Sequence, residues 1–278
     1  MANITDRAGD FCTQLGATLK SCVKMLLCPR PSTVRDIRPS GRLIILGNGP
    51  SLAANLADDM SVLRTSDTMA VNFAANAPEF FEIRPRYYLL ADPHFFSRPS
   101  SDPNVERLYA AFARVSWDMT LIVPVGAHTA IDNPRIVIRR FNPTGIEGFT
   151  SFRHAVFRLG LGMPRPRNVL IPAIMTGISM GYRRINILGA DHSWLKTLGV
   201  DDDNRVVSIQ PHFYKDNDEE HRRVASVYSN VRLHEMLLSM HYAFRSYHEI
   251  ASYARQRGVE IINSTPGSYI DAFERHPL

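Results

Sequence analysis

A doubly wound, mostly parallel α/β sheet is the fold this sequence predicts, and three observations predict it. Short β-branched and apolar runs recur along residues 41–278, helical stretches lie between several of them, and the first run ends in the turn Gly47-Asn48-Gly49-Pro50-Ser51. Strands alternating with helices imply parallel strands joined by crossovers. A chain of 278 residues is long enough for one well-buried domain of this kind.

Taken in order, residues 1–40 read as an N-terminal amphipathic helix and a linker. From residue 5 to 27 the apolar Phe11, Leu15, Leu19, Val23, Leu26 and Leu27 recur at helical spacing, with Lys20 and Lys24 beside them. Cys28-Pro29-Arg30-Pro31-Ser32 ends the helix, since proline cannot continue it. Packing on its own domain, or pairing in a homo-oligomer, is the expectation for this helix. Peripheral contact with a membrane surface is the alternative, disfavoured because its polar face has few basic residues.

Residues 41–278 then read as one Rossmann-like domain. Arg42-Leu43-Ile44-Ile45-Leu46 predicts a buried parallel strand, and similar runs follow at residues 68–71, 87–91, 120–123, 135–138, 185–188 and 260–262. Helices are expected at about 105–114, 169–180 and 219–257. Two irregular segments, 142–167 and 191–218, interrupt the pattern, and loops this long are more often lids or binding loops than filler. Ligands of such sheets sit beyond the C-terminal ends of the strands, so those ends are where function is sought.

The composition excludes several classes. A hydrophobic fraction of 45% is that of a globular chain, and no window reaches about 18 consecutive apolar residues, so no membrane-spanning helix is expected. Asp6 and Asp10 stand where a secretory leader would be basic, which predicts a cytoplasmic protein, with the inner face of the cell membrane as its one place of peripheral contact. Cys12, Cys22 and Cys28 fit neither a redox pair nor a zinc pattern and read as small apolar residues. The net charge of +5 suits anionic ligands such as nucleotides or phospholipid headgroups, but no nucleic-acid-binding signature is present.

The turn after the first strand carries the most chemistry. Gly47 and Gly49 allow a sharp turn and a close approach to a ligand, Pro50 fits a first helical turn, and the Ser51 hydroxyl with free amide groups there could hold a phosphate. The Asn48 amide offers both a donor and an acceptor. A plain tight turn is the bland alternative, and neither the dinucleotide fingerprint nor a P-loop is present. Asp191-His192-Ser193-Trp194 and Pro211-His212-Phe213-Tyr214 form two His-aromatic clusters in one strand-end loop. Asp191 can accept from ribose hydroxyls or take a catalytic part by orienting a histidine, and a histidine there can move a proton, although either histidine can equally pin the loop. His234, His241 and His248 share a helical stripe, but neighbours about 10 Å apart cannot bind one metal.

The G-N-G-P-S-L turn resembles the opening of bacterial lipo-oligosaccharide sialyltransferases, which use CMP-sialic acid, and equally that of 6-hydroxymethylpterin pyrophosphokinase-like proteins. The likeness continues as scattered anchors from Arg42 to Phe273: Asn72 after the second strand, Asp92-Pro93 with Phe95-Phe96 after the third, Gly181-Tyr182 through Gly189-Ala190-Asp191, and Pro266-Gly267-Ser268 near the end. The resemblance implies a glycosyltransferase, with CMP-activated sialic or Kdo-like acid as donor and a cell-surface glycan or glycolipid as acceptor. Lipopolysaccharide or capsule synthesis is the setting it implies. Gly47, Asn48, Gly49, Pro50, Ser51, Asn72, Asp92, Asp191 and Ser268 would hold the nucleotide. Counting back from Pro266-Gly267-Ser268 places His241 at the general base position, with His212 the second choice.

Three departures bear on the substrate. Arg167-Asn168 stands where the sialyltransferases carry Arg-x-Thr-Ser-Gly, Asp92 replaces an Asn, and Ser193 a Tyr. Arg167 and Asn168 could replace the arginine and hydroxyls. No cofactor is required on this reading. Asp92 and Asp191 could, however, share Mg²⁺ with a pyrophosphate, which is the pyrophosphokinase alternative. A non-catalytic nucleotide-binding assembly protein is the third reading.

Overall fold

The computed structural model describes residues 4–35, 39, 41–97, 99–129, 131–207 and 231–278. After the helix α1 (Ile4–Leu27) come the strands β1 (Arg42–Leu46), β2 (Asp67–Val71), β3 (Tyr87–Leu89), β4 (Met119–Pro124), β5 (Ile136–Phe141) and β6 (Arg184–Leu188). A small antiparallel hairpin, β7 (Gly199–Val200) and β8 (Val206–Val207), precedes β9 (Glu260–Asn263). Seven of these strands form one sheet in the order β5-β4-β3-β2-β1-β6-β9, and every neighbouring pair is parallel.

That order has one reversal. The chain steps outward from β1 to β5, then crosses back to lay β6 against the other side of β1, pairing Leu46 with Leu188. The strand ends part on either side of this switch point, which opens a crevice between the β1 and β6 loops. All the predicted strands are present, and the sheet is the expected parallel α/β architecture.

Helices cover both faces: α2 (Leu52–Asp58), α3 (Met60–Thr65), α4 (Glu79–Ile83), α5 (Pro103–Ala113), α6 (Thr150–Leu159), α7 (Leu170–Met180) and α8 (Leu233–Arg257). Ile171, Ile174 and Ile178 of α7 bury completely or nearly so against Leu43, Ile185 and Ile187, with Tyr247 and Ile250 of α8 beside them. On the opposite face Leu108 and Phe112 of α5 lie under Tyr88 and Leu121. Each such side chain contributes about 1.5–3 kcal/mol through burial, so the sheet and α7 form a firm platform for the loops above.

Two expectations are corrected. The segment 142–167 is not wholly irregular: Thr150–Leu159 is helical and stops at Gly160, whose φ of 66° suits a glycine cap. Its Gly- and Pro-rich flanks masked a helix of ordinary pattern. The last helix begins at Leu233 rather than 219, where the Arg232 amide donates to Glu235 Oε2 at 2.9 Å. Residues 208–230, and with them His212, lie outside the described residues.

The N-terminal segment is stitched to the domain. Thr33 donates its amide to Arg140 O and accepts from Arg140 N through its hydroxyl, which covers the edge of β5, and Val34 is buried in the core.

Candidate functional site

A cleft of about 390 Å³ opens at the switch point, at the C-terminal ends of β1, β2, β3 and β6. It brings together nine of the residues singled out in the sequence: Gly47, Asn48, Gly49, Pro50, Asn72, Asp92, Arg167, Asn168 and Asp191. Its volume lies within the usual range of small-molecule sites.

The glycine turn works differently from expectation. The amides of Gly47 and Gly49 are not free for an anion, because they donate to Leu188 O and Gly189 O, both at 2.8 Å. A Cβ on Gly47 would stand 2.5 Å from Gly189 O, and one on Gly49 would stand 2.0 Å from Asp191 Oδ2. The two glycines are there so that the β1 loop can lie directly on the β6 loop. Ser51, likewise, donates its hydroxyl to Asp191 Oδ2 at 2.7 Å. This turn therefore locks Asp191 in position, and α2, seven residues long, starts beside it.

The other wall is polar and incompletely paired. Asn48 donates its amide to Val71 O at 3.2 Å, which leaves its Oδ1 buried without a hydrogen-bond partner. Asn72, held at a φ of 51° immediately after β2, also has an unpartnered buried Oδ1. Asn168 Oδ1 accepts from the amides of Leu170 and Ile171 at 3.0 and 3.4 Å, capping α7, while its Nδ2 is buried and unpartnered. An unsatisfied buried group costs about 1–3 kcal/mol, and three such groups belong to residues that line this one cleft.

His192 joins this wall and was not singled out as an individual site residue. Because Asn168 Oδ1 already faces two backbone donors, Tyr247, 2.9 Å away, must donate its hydroxyl proton to it. The Tyr247 oxygen then accepts from His192 Nε2 at 2.6 Å. His192 is thereby assigned as the Nε2–H tautomer with a bare Nδ1, and burial holds its pKa down to about 3. Burial likewise pushes the Tyr247 hydroxyl up, so neither group carries charge near neutral pH. The His192 backbone sits at a φ of 52°, and its ring lies 4.2 Å from that of Trp194, which also lines the cleft. A non-glycine residue held there is strained, a frequent mark of functional loops. The strand-end Asp191-His192-Ser193-Trp194 string was the available signal for it.

Arg167 lies at the mouth with its guanidinium 5.6 Å from the Tyr242 ring, and no ion pair to it is present among the described residues. Arg165, on the same ring at 4.1 Å, instead pairs with Glu147, as does Arg245. Burial raises the Glu147 pKa, but the hydrogen bonds from the two arginines outweigh it and hold the carboxyl below its usual range. Among the described residues, Arg167 is the one of these three arginines without a carboxylate partner.

The remaining candidates lie elsewhere. Ser268 is buried behind the cleft, donating its hydroxyl to Ala190 O at 2.6 Å, so it braces the loop that carries Asp191. His241 is exposed on the outer face of α8 and lines a separate groove with Leu237, Met240 and Phe244. Counting along the chain found its position on the helix but not its face, and Tyr247 is the α8 residue that reaches the cleft wall. Asp92, by contrast, lines the cleft and caps a 3₁₀ turn by accepting from His94 N at 2.9 Å. Among the described residues no group of three or more His, Cys, Asp or Glu side chains is placed to hold a metal.

Fold and cleft together define a Rossmann-like α/β domain with a polar cleft at the switch point of its sheet. No protein-family model and no curated protein sequence matches the chain. Among solved structures it is similar to the MAf glycosyltransferase from Magnetospirillum magneticum AMB-1, with a TM-score of 0.50 at 10% identity over 89% of this chain. The match takes in 34% of that protein, so the chain spans about a third of its length. The likeness is one of fold: a parallel α/β sheet of the kind that glycosyltransferase shares. Among the described residues no helix is long and apolar enough to cross a membrane.

Proposed function

We propose that the protein is a glycosyltransferase that binds a nucleotide-activated sugar in the switch-point cleft, with a CMP-linked sialic or Kdo-like acid as donor and a cell-surface glycan or glycolipid as acceptor. The observation that carries the proposal is that three residues lining one cleft, Asn48, Asn72 and Asn168, each keep an unpartnered polar atom, Oδ1, Oδ1 and Nδ2 respectively. Two acceptors and one donor suit a ligand that offers hydroxyl or amino hydrogens at one end and an anionic oxygen at the other. Nucleoside and phosphate have those properties in that order. Arg167, beside Asn168, supplies the positive charge that a leaving phosphate needs. The donor sugar itself rests on the sequence resemblance.

On this reading His192 replaces His241 as the group that receives the acceptor hydroxyl. Its bare Nδ1 accepts the hydrogen bond. Because burial holds the imidazole neutral down to about pH 3, it takes the proton only as negative charge develops on the phosphate nearby. The acceptor oxygen then bonds to the sugar carbon while the sugar–phosphate bond breaks, its electron pair leaving on the nucleotide.

One feature favours a second reading. Asp92 and Asp191 line the same cleft, and two carboxylates with a pyrophosphate make a magnesium site, as pyrophosphoryl transfer from ATP would require. A thermal-shift panel of CMP, CDP, UDP, GDP and ATP, with and without Mg²⁺, separates the two. A rise in melting temperature with cytidine nucleotides supports the glycosyltransferase, and a rise with Mg-ATP alone supports the second reading. No shift with any nucleotide rejects both. Nucleotide binding with no turnover of any CMP-sugar would leave a non-catalytic binding protein.

A further inference from the structure

Helix α1 is docked the wrong way round for a helix that serves only its own fold. Its polar and small side chains face the domain. Ser21 exchanges hydrogen bonds with Glu147, its hydroxyl donating to the carbonyl and accepting from the amide, both at 2.9 Å. Lys24 Nζ donates to Gly145 O, and Thr18 Oγ1 accepts from Phe149 N. Met25 adds an apolar contact with the core. The opposite side is an apolar arc left in solvent: Leu15, Leu19, Val23, Leu26 and Leu27 are 42–81% exposed, while Phe11 at its rim packs on Phe149 with ring centroids 5.3 Å apart. At about 100° per residue the five sweep roughly 120° of the helix surface.

We propose that this arc is a membrane-binding surface that seats the protein on an anionic lipid leaflet. Between residues 11 and 35 the chain carries Lys20, Lys24, Arg30 and Arg35 and no acidic residue. Lys20 borders the arc and Arg30 follows the helix end, both exposed. An apolar arc with cations at its rim is what an interfacial helix presents to headgroups and acyl chains. The width of the arc argues against a second copy as occupant, because a paired helix needs only a narrow seam.

The docking fixes where the lipid lies relative to the cleft. Glu147, which holds Ser21, also holds Arg165, two residues from the cleft-lining Arg167. Both features therefore lie on the side of the domain where the strands end.

The test is sedimentation of the full chain with vesicles of phosphatidylcholine alone or mixed with phosphatidylglycerol. Binding to the anionic vesicles only, weakening as salt is raised, is expected. Leu19→Glu and Leu26→Glu are each expected to lower the partition coefficient about tenfold or more with an unchanged circular dichroism spectrum. A second variant, Lys20→Glu with Arg30→Glu, keeps the apolar arc and is expected to remove the salt-sensitive part. Failure to sediment with anionic vesicles, or equal binding to both vesicle types, overturns the proposal. So does a dimer in sedimentation velocity that Leu19→Glu converts to a monomer. None of these readouts depends on nucleotide binding.

Discussion

The Tyr247 hydroxyl donates to the Asn168 side-chain carbonyl at 2.9 Å, joining residues 79 positions apart at the wall of the cleft. One contact does three things. It fastens α8 to the start of α7, it orients the Asn168 amide so that Nδ2 is left unpaired, and it decides which nitrogen of His192 bears the proton. The site is therefore organised from behind by a tyrosine that does not line it.

Replacing that hydroxyl should show its weight. Tyr247→Phe leaves His192 Nε2–H without an acceptor in a buried site, and an orphaned donor of this kind costs about 1–3 kcal/mol. Urea unfolding should show a lower midpoint with an unchanged slope. A variant as stable as the parent would mean that His192 is not held in the tautomer assigned to it.

Acid should act through the same histidine. The unfolded chain titrates His192 near 6.5, whereas the folded chain keeps it neutral to about 3. Between those values the unfolded state binds more protons, so stability rises with pH through this window and falls as the solution is acidified. The loss attributable to His192 is about 2 kcal/mol between pH 7.5 and 5. Above about pH 7.5 the contribution is level. His192→Asn should flatten this part of the curve, and comparing melting temperatures of the two proteins from pH 5 to 7.5 cancels the titration of other groups such as Glu147 and Glu249. Parallel curves would refute the assignment.

The strand ends were legible in the sequence because a parallel sheet concentrates its ligand residues there. Gly47, Asn72, Asp92 and Asp191 each follow an apolar run directly, and the switch between β1 and β6 gathers them. What sequence could not supply is which face of a helix turns inward. His241 and Tyr247 are six residues apart on α8, yet one is exposed and the other wholly buried. The turn glycines were found for the right conformational reason but assigned the wrong neighbour, since their contact with Gly189 crosses about 140 residues of chain, a separation the Ser51–Asp191 bond shares. Outward-facing Leu15 and Leu19 were equally hidden, because an amphipathic pattern is ordinarily buried on its apolar side.

Glycines at two sites should respond with opposite signs to the same substitution. Gly49→Ala puts a Cβ 2.0 Å from Asp191 Oδ2 and 2.6 Å from Gly189 O, so the Ser51–Asp191 contact must break or the two loops must part. A loss of about 3 kcal/mol or more is expected, with loss of ligand binding. Gly16, inside α1, has nothing within 4 Å of where its Cβ would be. Gly16→Ala should stabilise by about 0.5–1 kcal/mol through helix propensity alone. Thermal melts of the two variants beside the parent check both signs at once.

Arg167 separates binding from folding most cleanly. Its side chain is exposed, and its aromatic neighbour Tyr242 keeps Arg165 and Arg245 when it is removed, so Arg167→Ala should leave the melting temperature of the free protein within a degree or so. A charged hydrogen bond to a phosphate is worth about 1.5–3 kcal/mol, which predicts nucleotide affinity weaker by about 10- to 100-fold in calorimetric titration. Arg167→Lys should recover only part of it, because an ammonium lacks the planar two-point grip of a guanidinium. Asn168→Asp tests the same wall with the opposite charge logic: it keeps the oxygen that caps α7 and accepts from Tyr247, but replaces the unpaired Nδ2 with a second oxygen. That variant should fold and should repel the phosphate that Arg167 attracts. Unchanged nucleotide affinity in both variants would move the anion away from this wall and, with it, the assignment of the leaving phosphate.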